Sequence, residues 1–414
     1  MIALLALLGA ATRADAETRP VPGGSIVVPL GEQPVAPGDP VRALRWADQV
    51  IALATSEGLY QDGRPALADG DPVVTSPLGA RVRVRAGVRT HDGRPVTAAE
   101  VAAALDKLRA SPLGFVLGPV RGVQAVGSDA VELALSAPAA PADLAAILSA
   151  PQAAVPRTGP FVLGGADAHE VRLDAFSGYH GGRPWLDRVI LRAYDSRSNE
   201  VSAFELGSAQ MLLHGSLRRR DGAGEPLVWP ATEAAALLTF VGFAAAAPPE
   251  ARQAVALAID ADAVRRFAAR EPATTVARPA ANPARARALL ASSAWHGKTL
   301  TLLTDKSRFA DDDVAQKVQA QLQRVGLTVR IESASASEFE RRLAANSGFD
   351  LFVGQCAPQL AGTRVCGDGG AVALYRSGLR AHHALELRGL RIDAAGRLRF
   401  DDAFLWRKAG AARP

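Results

Sequence analysis

His91 and Asp92 stand side by side in "THDGRPVTAAEV", and an imidazole next to a carboxylate is half of a proton relay. The spacing around them points to a different job. Val82 and Val84 alternate with Arg81, Arg83 and Arg85, which predicts a half-buried strand. Asp92-Gly93 supplies the chemistry of a tight turn, and Pro95 narrows the backbone conformations open to the chain beside it. Thr97 and Glu100 have the spacing of a capping box, in which hydroxyl and carboxylate each satisfy a backbone N–H of the first helical turn. Val101, Leu105 and Leu108 then give that helix its buried face. With every neighbour assigned a structural task, His91-Asp92 is read as a corner and no catalytic role is expected of it.

The remaining chemistry-bearing residues are dispersed. The seven histidines (His91, His169, His180, His214, His296, His382 and His383) include no H-E-x-x-H or comparable metal-ligand spacing. His382 and His383 are adjacent, so on a strand they point to opposite faces and cannot share one metal. Asp311-Asp312-Asp313 looks like a calcium cluster, but it stands ahead of a helical pattern, where carboxylates suit the helix dipole. There is no G-x-S-x-G elbow, P-loop or dinucleotide fingerprint. An enzyme, a cofactor and a metal site are therefore not expected.

Cys356 and Cys366 bracket the short Pro- and Gly-containing loop "CAPQLAGTRVC". Two thiols without an intervening histidine are too few for a closed zinc site, so a disulfide is the favoured reading over a metal. In an oxidising compartment it would add about 2.5–3 kcal/mol by loop entropy.

The elements that hold these residues need more than one core, because 414 residues exceed what a single ordinary core supports. Two or three lobes are expected. A chain with 48% hydrophobic and 21% charged residues is ordinary globular material. The net charge of +5 is carried mostly by arginine, and the densest run, Arg218-Arg219-Arg220, is followed at once by Asp221 without interleaved aromatics. Nucleic-acid binding needs a sustained cationic face and is not expected.

At the N-terminus, "IALLALLGAA" is too short to span a bilayer, and Ala14-Asp15-Ala16 is an A-x-A cleavage site. Residues 1–16 are read as an export signal, with a buried first helix as the alternative. No cysteine follows to take a lipid anchor.

The rest alternates between strand and helix. "GGSIVVPL" predicts an early strand, and "VRGVQAVGSDAVELALSAP" a hairpin with Val123, Val126, Val131, Leu133 and Leu135 alternating. Gly159-Pro160 and Gly181-Gly182 make corners, the second covered by Trp185 and Leu186. "LLTFVGF" (237–243) predicts a strand that crosses between lobes. A helix starts at Pro249, and another takes Asn282 as N-cap with Pro283 in its first turn. "KTLTLLT", a stripe of Val314, Val318, Leu322 and Val325 closed by Gly326, and "LTVRIE" read as β-α-β, which implies a parallel pair. A short helix with Phe339 and Leu343 leads to a buried strand, "DLFVG".

The order of these segments resembles the family 5 extracellular solute-binding proteins, the dipeptide and oligopeptide receptors of ABC importers. The resemblance is first carried by "THDGRPVTAAEV" and extends from "GGSIVVPL" over almost the whole mature chain. It is most specific in "TGPFVLGGADAHEVRLDAFSGYHGGRPWLDRVILRAY", where Thr158, Gly159, Pro160, Tyr179, Gly181, Gly182, Pro184, Leu186, Asp187 and Val189 fall in step with the family's pattern. "PPEARQAVALAIDADAVRRF" is similar to the family's helix around Arg252, Gln253, Ala254, Ala258, Ile259 and Asp260. Two stretches are short against that pattern: the loop after Phe267, and the interval after "DLFVGQ". In that second interval the peptide receptors keep an aspartate for the ligand's α-ammonium. Asp368 is the sole acidic residue there, and the role is not carried over to it.

The resemblance implies a mixed α/β, type II periplasmic-binding-protein-like fold: two main lobes with mixed sheets around a cleft, plus a smaller β-rich subdomain. Lobe I is expected from 17–57, 157–236 and 371–414, the subdomain from 58–156, and lobe II from 237–370. It further implies a monomeric periplasmic receptor that captures a small solute or short peptide and passes it to ABC permease subunits. The alternative is a degenerate fold kept as a non-transport binding or accessory protein of the envelope. Tyr60, Phe243, Gln355 and Trp46 are the candidate ligand-binding residues, because they fall where hinge strands and first-lobe turns end.

Overall fold

In a computed structural model the chain is described over residues 22–213, 217, 223–229, 237–269, 272–357, 370–393 and 395–406. The expected leader, Arg218–Arg220, Cys366 and Asp368 lie outside the described residues. No helix among the described residues is long and apolar enough to cross a membrane.

The opening motif folds as its spacing predicts. Gly79–Arg83 is a strand with Val82 buried, and Ala98–Ala110 is a helix. The Thr97 hydroxyl accepts from Glu100 N at 3.3 Å while the Glu100 carboxylate accepts from Thr97 N at 3.1 Å. Gly93 sits at φ +82°, a conformation that glycine adopts without steric cost. His91 Nε2 lies 2.9 Å from the carbonyl of Gly159, and its ring meets Phe176 edge-on at 5.0 Å. The corner thus fastens one layer of the fold to another.

Three apolar cores account for most of the packing. The first is built on a sheet in the order Ser25–Pro29, Arg188–Arg192, Glu170–Ala175, Phe161–Ala166, closed over by the helix Trp46–Thr55. A Cβ on Gly159 would stand 2.5–2.6 Å from the backbone of that helix's last turn, so only glycine lets the Gly159-Pro160 corner pass there. The second core joins Leu59 through Val155 around the antiparallel sheet Val73–Ser76, Gly79–Arg83, Ala130–Leu135, Val120–Val126. Val131, Leu133 and Leu135 point inward as expected, but Val126 is exposed, because it ends its strand at the turn.

The third core lies on a six-stranded sheet in the order Ala273–Thr275, Val372–Ser377, Leu237–Phe243, Leu351–Cys356, Thr299–Asp305, Thr328–Ala334. Thr299–Asp305 runs parallel to both of its neighbours, as a β-α-β unit requires, and Leu237–Phe243 runs antiparallel to its own. The sheet is therefore mixed. The crossover helix Asp311–Gln323 buries Val314, Val318 and Leu322, and Gly326 closes it at φ +93°. Asp311, Asp312 and Asp313 form the first turn of this helix. Asn282 caps the helix Pro283–Ala291 through Arg285 N.

Val372–Ser377 hydrogen-bonds within this last sheet, whereas the adjoining strand Leu379–His383 pairs with Met211–Leu212 and Leu227–Trp229. The chain crosses back toward the first core around Gly378, seven residues later than a boundary at 371 places it.

Candidate functional site

Where the first and third cores face each other, a chamber of about 920 Å³, counting its open mouth, lies between them. From the first side come Leu30, Gly31 and Glu32, just after the strand Ser25–Pro29, together with Trp46, Leu379 and Gly396. From the other side come Leu237, Gln355 and Tyr375 on three adjacent strands, and the turn Arg308–Asp311. Trp46 opens its helix, and its indole Nε1 donates to the Gly396 carbonyl at 2.9 Å, which fixes the ring as a wall. Tyr375 is buried, and that burial pushes its phenol up to about 12.

Next to the chamber the two sides are joined by charge. Arg45 Nη2 lies 2.9 Å from Glu32 Oε2 and 2.7 Å from Asp305 Oδ2, and Nη1 is 3.4 Å from Glu340. Arg308 Nε donates to Glu32 Oε2 at 2.8 Å. Glu32 also accepts from Ala47 N at 3.1 Å at the start of the helix Trp46–Thr55. Asp305 Oδ1 accepts from the backbone and hydroxyl of Ser307. Burial opposes ionisation of Glu32 and Asp305, but the two guanidiniums outweigh it and hold both carboxyls below their usual range.

Asp311 differs. It is 3% exposed, its Oδ2 has no hydrogen-bond partner, and the nearest guanidinium contact is Arg308 Nη1 at 3.9 Å. Burial, with Arg308 only partly offsetting it, pushes this carboxyl up to about 8. On the far side of the chamber Arg197 stands 3.6 Å from Asp313, with its guanidinium 5.9 Å from the centre of the Phe309 ring.

Of the four residues singled out from sequence, Trp46 and Gln355 line the chamber and Tyr60 and Phe243 do not. Tyr60 is buried in the second core, and its hydroxyl donates to the Gly70 carbonyl at 2.9 Å. Phe243 ends the strand whose opposite end, Leu237, reaches the chamber; seven residues of strand separate those ends by about 20 Å. Its ring packs near Trp295 and under the Arg252 guanidinium. Cys356 is buried at the end of its strand, and its expected partner, Cys366, lies outside the described residues. No group of three or more His, Cys, Asp or Glu suited to a metal occurs among the described residues.

Sequence reasoning missed Glu32, Arg45, Arg197, Arg308, Asp311 and Tyr375. Arg45 and Glu340 stand 295 positions apart, and Glu32 and Arg308 276, so no local pattern could join them. The one signal within reach was "DKSRFADDD", whose first helical turn carries more carboxylates than a dipole needs.

A fold of this kind, two sheet-based lobes over a shared chamber, defines a binding protein of the periplasmic type. The profile of the bacterial extracellular solute-binding proteins, family 5 (middle region), matches residues 63–361, and the chain belongs to that family. It is 24% identical over 364 residues to the glutathione-binding protein GsiB of Pectobacterium atrosepticum, covering 76% of this chain and 71% of that one. It is 30% identical over 168 residues to the uncharacterized protein YhjP of Bacillus subtilis, but that match spans 38% of this chain and 29% of YhjP. Among solved structures, MoaA of A. tumefaciens R10, in complex with mannopinic acid, superposes with a TM-score of 0.79 at 17% identity, covering 93% of this chain and 100% of MoaA. The mixed α/β periplasmic-binding-protein fold expected from sequence is the fold found.

Proposed function

We propose that the chain is the substrate-binding component of an ABC importer. It captures a small peptide-like solute in the interlobe chamber and delivers it, as a monomer in the periplasm, to a membrane permease. The observation that carries this reading is the chamber itself, lined from both lobes by aromatic, amide and ionisable groups. GsiB is named for binding glutathione and MoaA is described with mannopinic acid, which fits a solute of modest size. Such a receptor does no covalent chemistry. A ligand touching both lobes shifts them toward closure by its differential affinity alone. Trp46 and Gln355 are the ligand contacts kept from the sequence reading, and Tyr60 and Phe243 are read as core.

The lobes of this reading follow the three cores, with residues 58–156 as the subdomain and the return to lobe I placed at Gly378. Export uses residues 1–16, and Cys356 pairs with Cys366 in the oxidising compartment. Intact-mass measurement with and without reductant checks that pair by a difference of about 2 Da, the mass of two hydrogens.

One observation favours a second reading, a non-transport envelope protein: the Arg45–Glu32–Asp305 contacts already join the lobes through buried charge. A thermal-shift and native mass-spectrometry screen against peptides, amino acids and sugar acids decides between the two. A ligand at about 100 times its Kd raises stability by about 2.7 kcal/mol. If no compound raises the melting temperature or adds mass, the receptor reading fails.

A further inference from the structure

Four side chains beside the chamber form a ring that neither lobe completes alone. Arg45 and Glu32 come from the lobe of the first core and lie 2.9 Å apart. Asp305 and Arg308 come from the lobe of the third core and lie 3.8 Å apart. Across the seam, Arg45 stands 2.7 Å from Asp305, and Arg308 stands 2.8 Å from Glu32. The signs alternate around the ring, so each charge has two opposite neighbours. We propose that this ring is a resting latch, which holds the two lobes together before any solute arrives, so that the empty protein populates mainly the closed arrangement.

The first support is that each half of the ring is neutral. A lone charge taken out of water loses its hydration, whereas each lobe here brings a guanidinium already near a carboxylate, and both gain a second partner on meeting. The carboxylates are also fixed within their own lobes. Glu32 accepts from Ala47 N at 3.1 Å, and Asp305 Oδ1 accepts from the Ser307 N–H and hydroxyl at 2.9 and 2.7 Å. All four side chains are at most 9% exposed, so salt in the bulk screens them little.

The second is the depth to which Arg45 reaches into the opposite lobe. Besides Asp305, its Nη2 donates to Ser307 Oγ at 3.3 Å, and its Nη1 lies 3.4 Å from Glu340 on the helix Ala336–Ala345. The third is apolar. Leu44, next to Arg45, and Val116 of the subdomain pack in one cluster with Phe240 and Cys356 of the other lobe. Buried ion pairs come near to balancing their own lost hydration, and this apolar contact adds a drive toward closure that carries no such penalty.

These contacts are made by the chain's own residues, so a solute is not required to draw the lobes together. A solute that enters only when the lobes part binds with an affinity reduced by the open share, and loosening the latch raises that share.

The test needs no solute, so its failure and the failure of the receptor reading are told apart. Nitroxide labels are placed on Leu206→Cys in the first lobe and Arg330→Cys in the other, both at exposed positions, and double electron–electron resonance reads their separation in the empty chain. A chain without the two new cysteines controls for label on Cys356 or Cys366. The expected result is one narrow distance distribution when the ring is intact. In Asp305→Asn, which keeps an acceptor for Ser307, and in Arg45→Met, a second, longer population is expected, with the open share raised about tenfold or more. Leu44→Ala keeps every charge and is expected to shift the same population less, and it tests the latch if the charge variants fail to fold. A distribution already split with the ring intact, or one that the folded variants leave unchanged, overturns the latch and leaves the receptor reading to its ligand screen. A screen in which nothing binds overturns the receptor reading and leaves the latch standing.

Discussion

The two halves of one interlobe seam are built from the same short segments yet behave oppositely. On one side, Arg45 and Arg308 lie 2.7–2.9 Å from Glu32 and Asp305. On the other, three residues along the turn from Arg308, Asp311 stands 3.9 Å from that guanidinium. Paired buried charge can hold surfaces together, because each member has its solvation replaced by a fixed partner. A buried carboxyl without such a partner keeps its proton instead, as Asp311 does with its pKa pushed up to about 8. One cluster thus holds paired, ionised carboxyls beside a protonated one, and their distance from the guanidiniums separates them.

The sharpest way to break this contrast is Arg45→Ala. It strands Glu32 and Asp305 without one of their two cations, and a loss of about 3–5 kcal/mol is expected in urea or thermal unfolding. A smaller loss, typical of an exposed pair, would mean that water already enters the seam.

Next comes the pH dependence of the empty protein. Asp311 has a folded pKa near 8, well above that of an unfolded aspartate, so between those values the folded state binds more protons than the unfolded state. Stability must then fall as pH rises from about 4 to 8, other groups held constant. Asp311→Asn removes this slope, so its melting temperature relative to wild type should increase between pH 5 and pH 8. A constant difference across that range would place the Asp311 carboxyl in water.

Trp46→Phe keeps a ring but deletes the bond to the Gly396 carbonyl, at an expected cost of about 1 kcal/mol, with weaker binding of any ligand stacked on the indole. The smallest effect sharpens the contrast from outside the seam. Thr97→Ala removes half of the capping box and should cost about 1 kcal/mol in stability while leaving ligand affinity unchanged, since it sits at the start of a helix in the subdomain. An altered affinity in that variant would tie the subdomain to the chamber.

How far each feature could be read from sequence depends on how local it is. The corner at His91-Asp92, the capping box, the Asn282 cap and the stripe from Val314 to Leu322 were all legible, because each lies within a few residues of chain and obeys turn or helix spacing. Of the candidate site, Trp46 and Gln355 were legible because they stand at ends of elements, as does Phe243. Which end of the strand Leu237–Phe243 faces the chamber is not written in its alternation. Tyr60 shows the same limit: a tyrosine after a turn can as readily put its hydroxyl on a neighbouring carbonyl as on a ligand, and here it bonds Gly70.

By itself, the chain's order of amino acids determined its helices, its strands, their caps and its membership of a family, since those depend on spacing and on segments in sequence. Only the tertiary structure decided the charged seam between the lobes. Glu32 and Arg45 meet Asp305, Arg308 and Asp311 across more than 250 positions of chain, and their charge balance exists only where two lobes exclude water together. A carboxylate's strength as a ligand is set by that burial and by which cations its neighbours have already taken, and neither quantity is a property of any stretch of sequence.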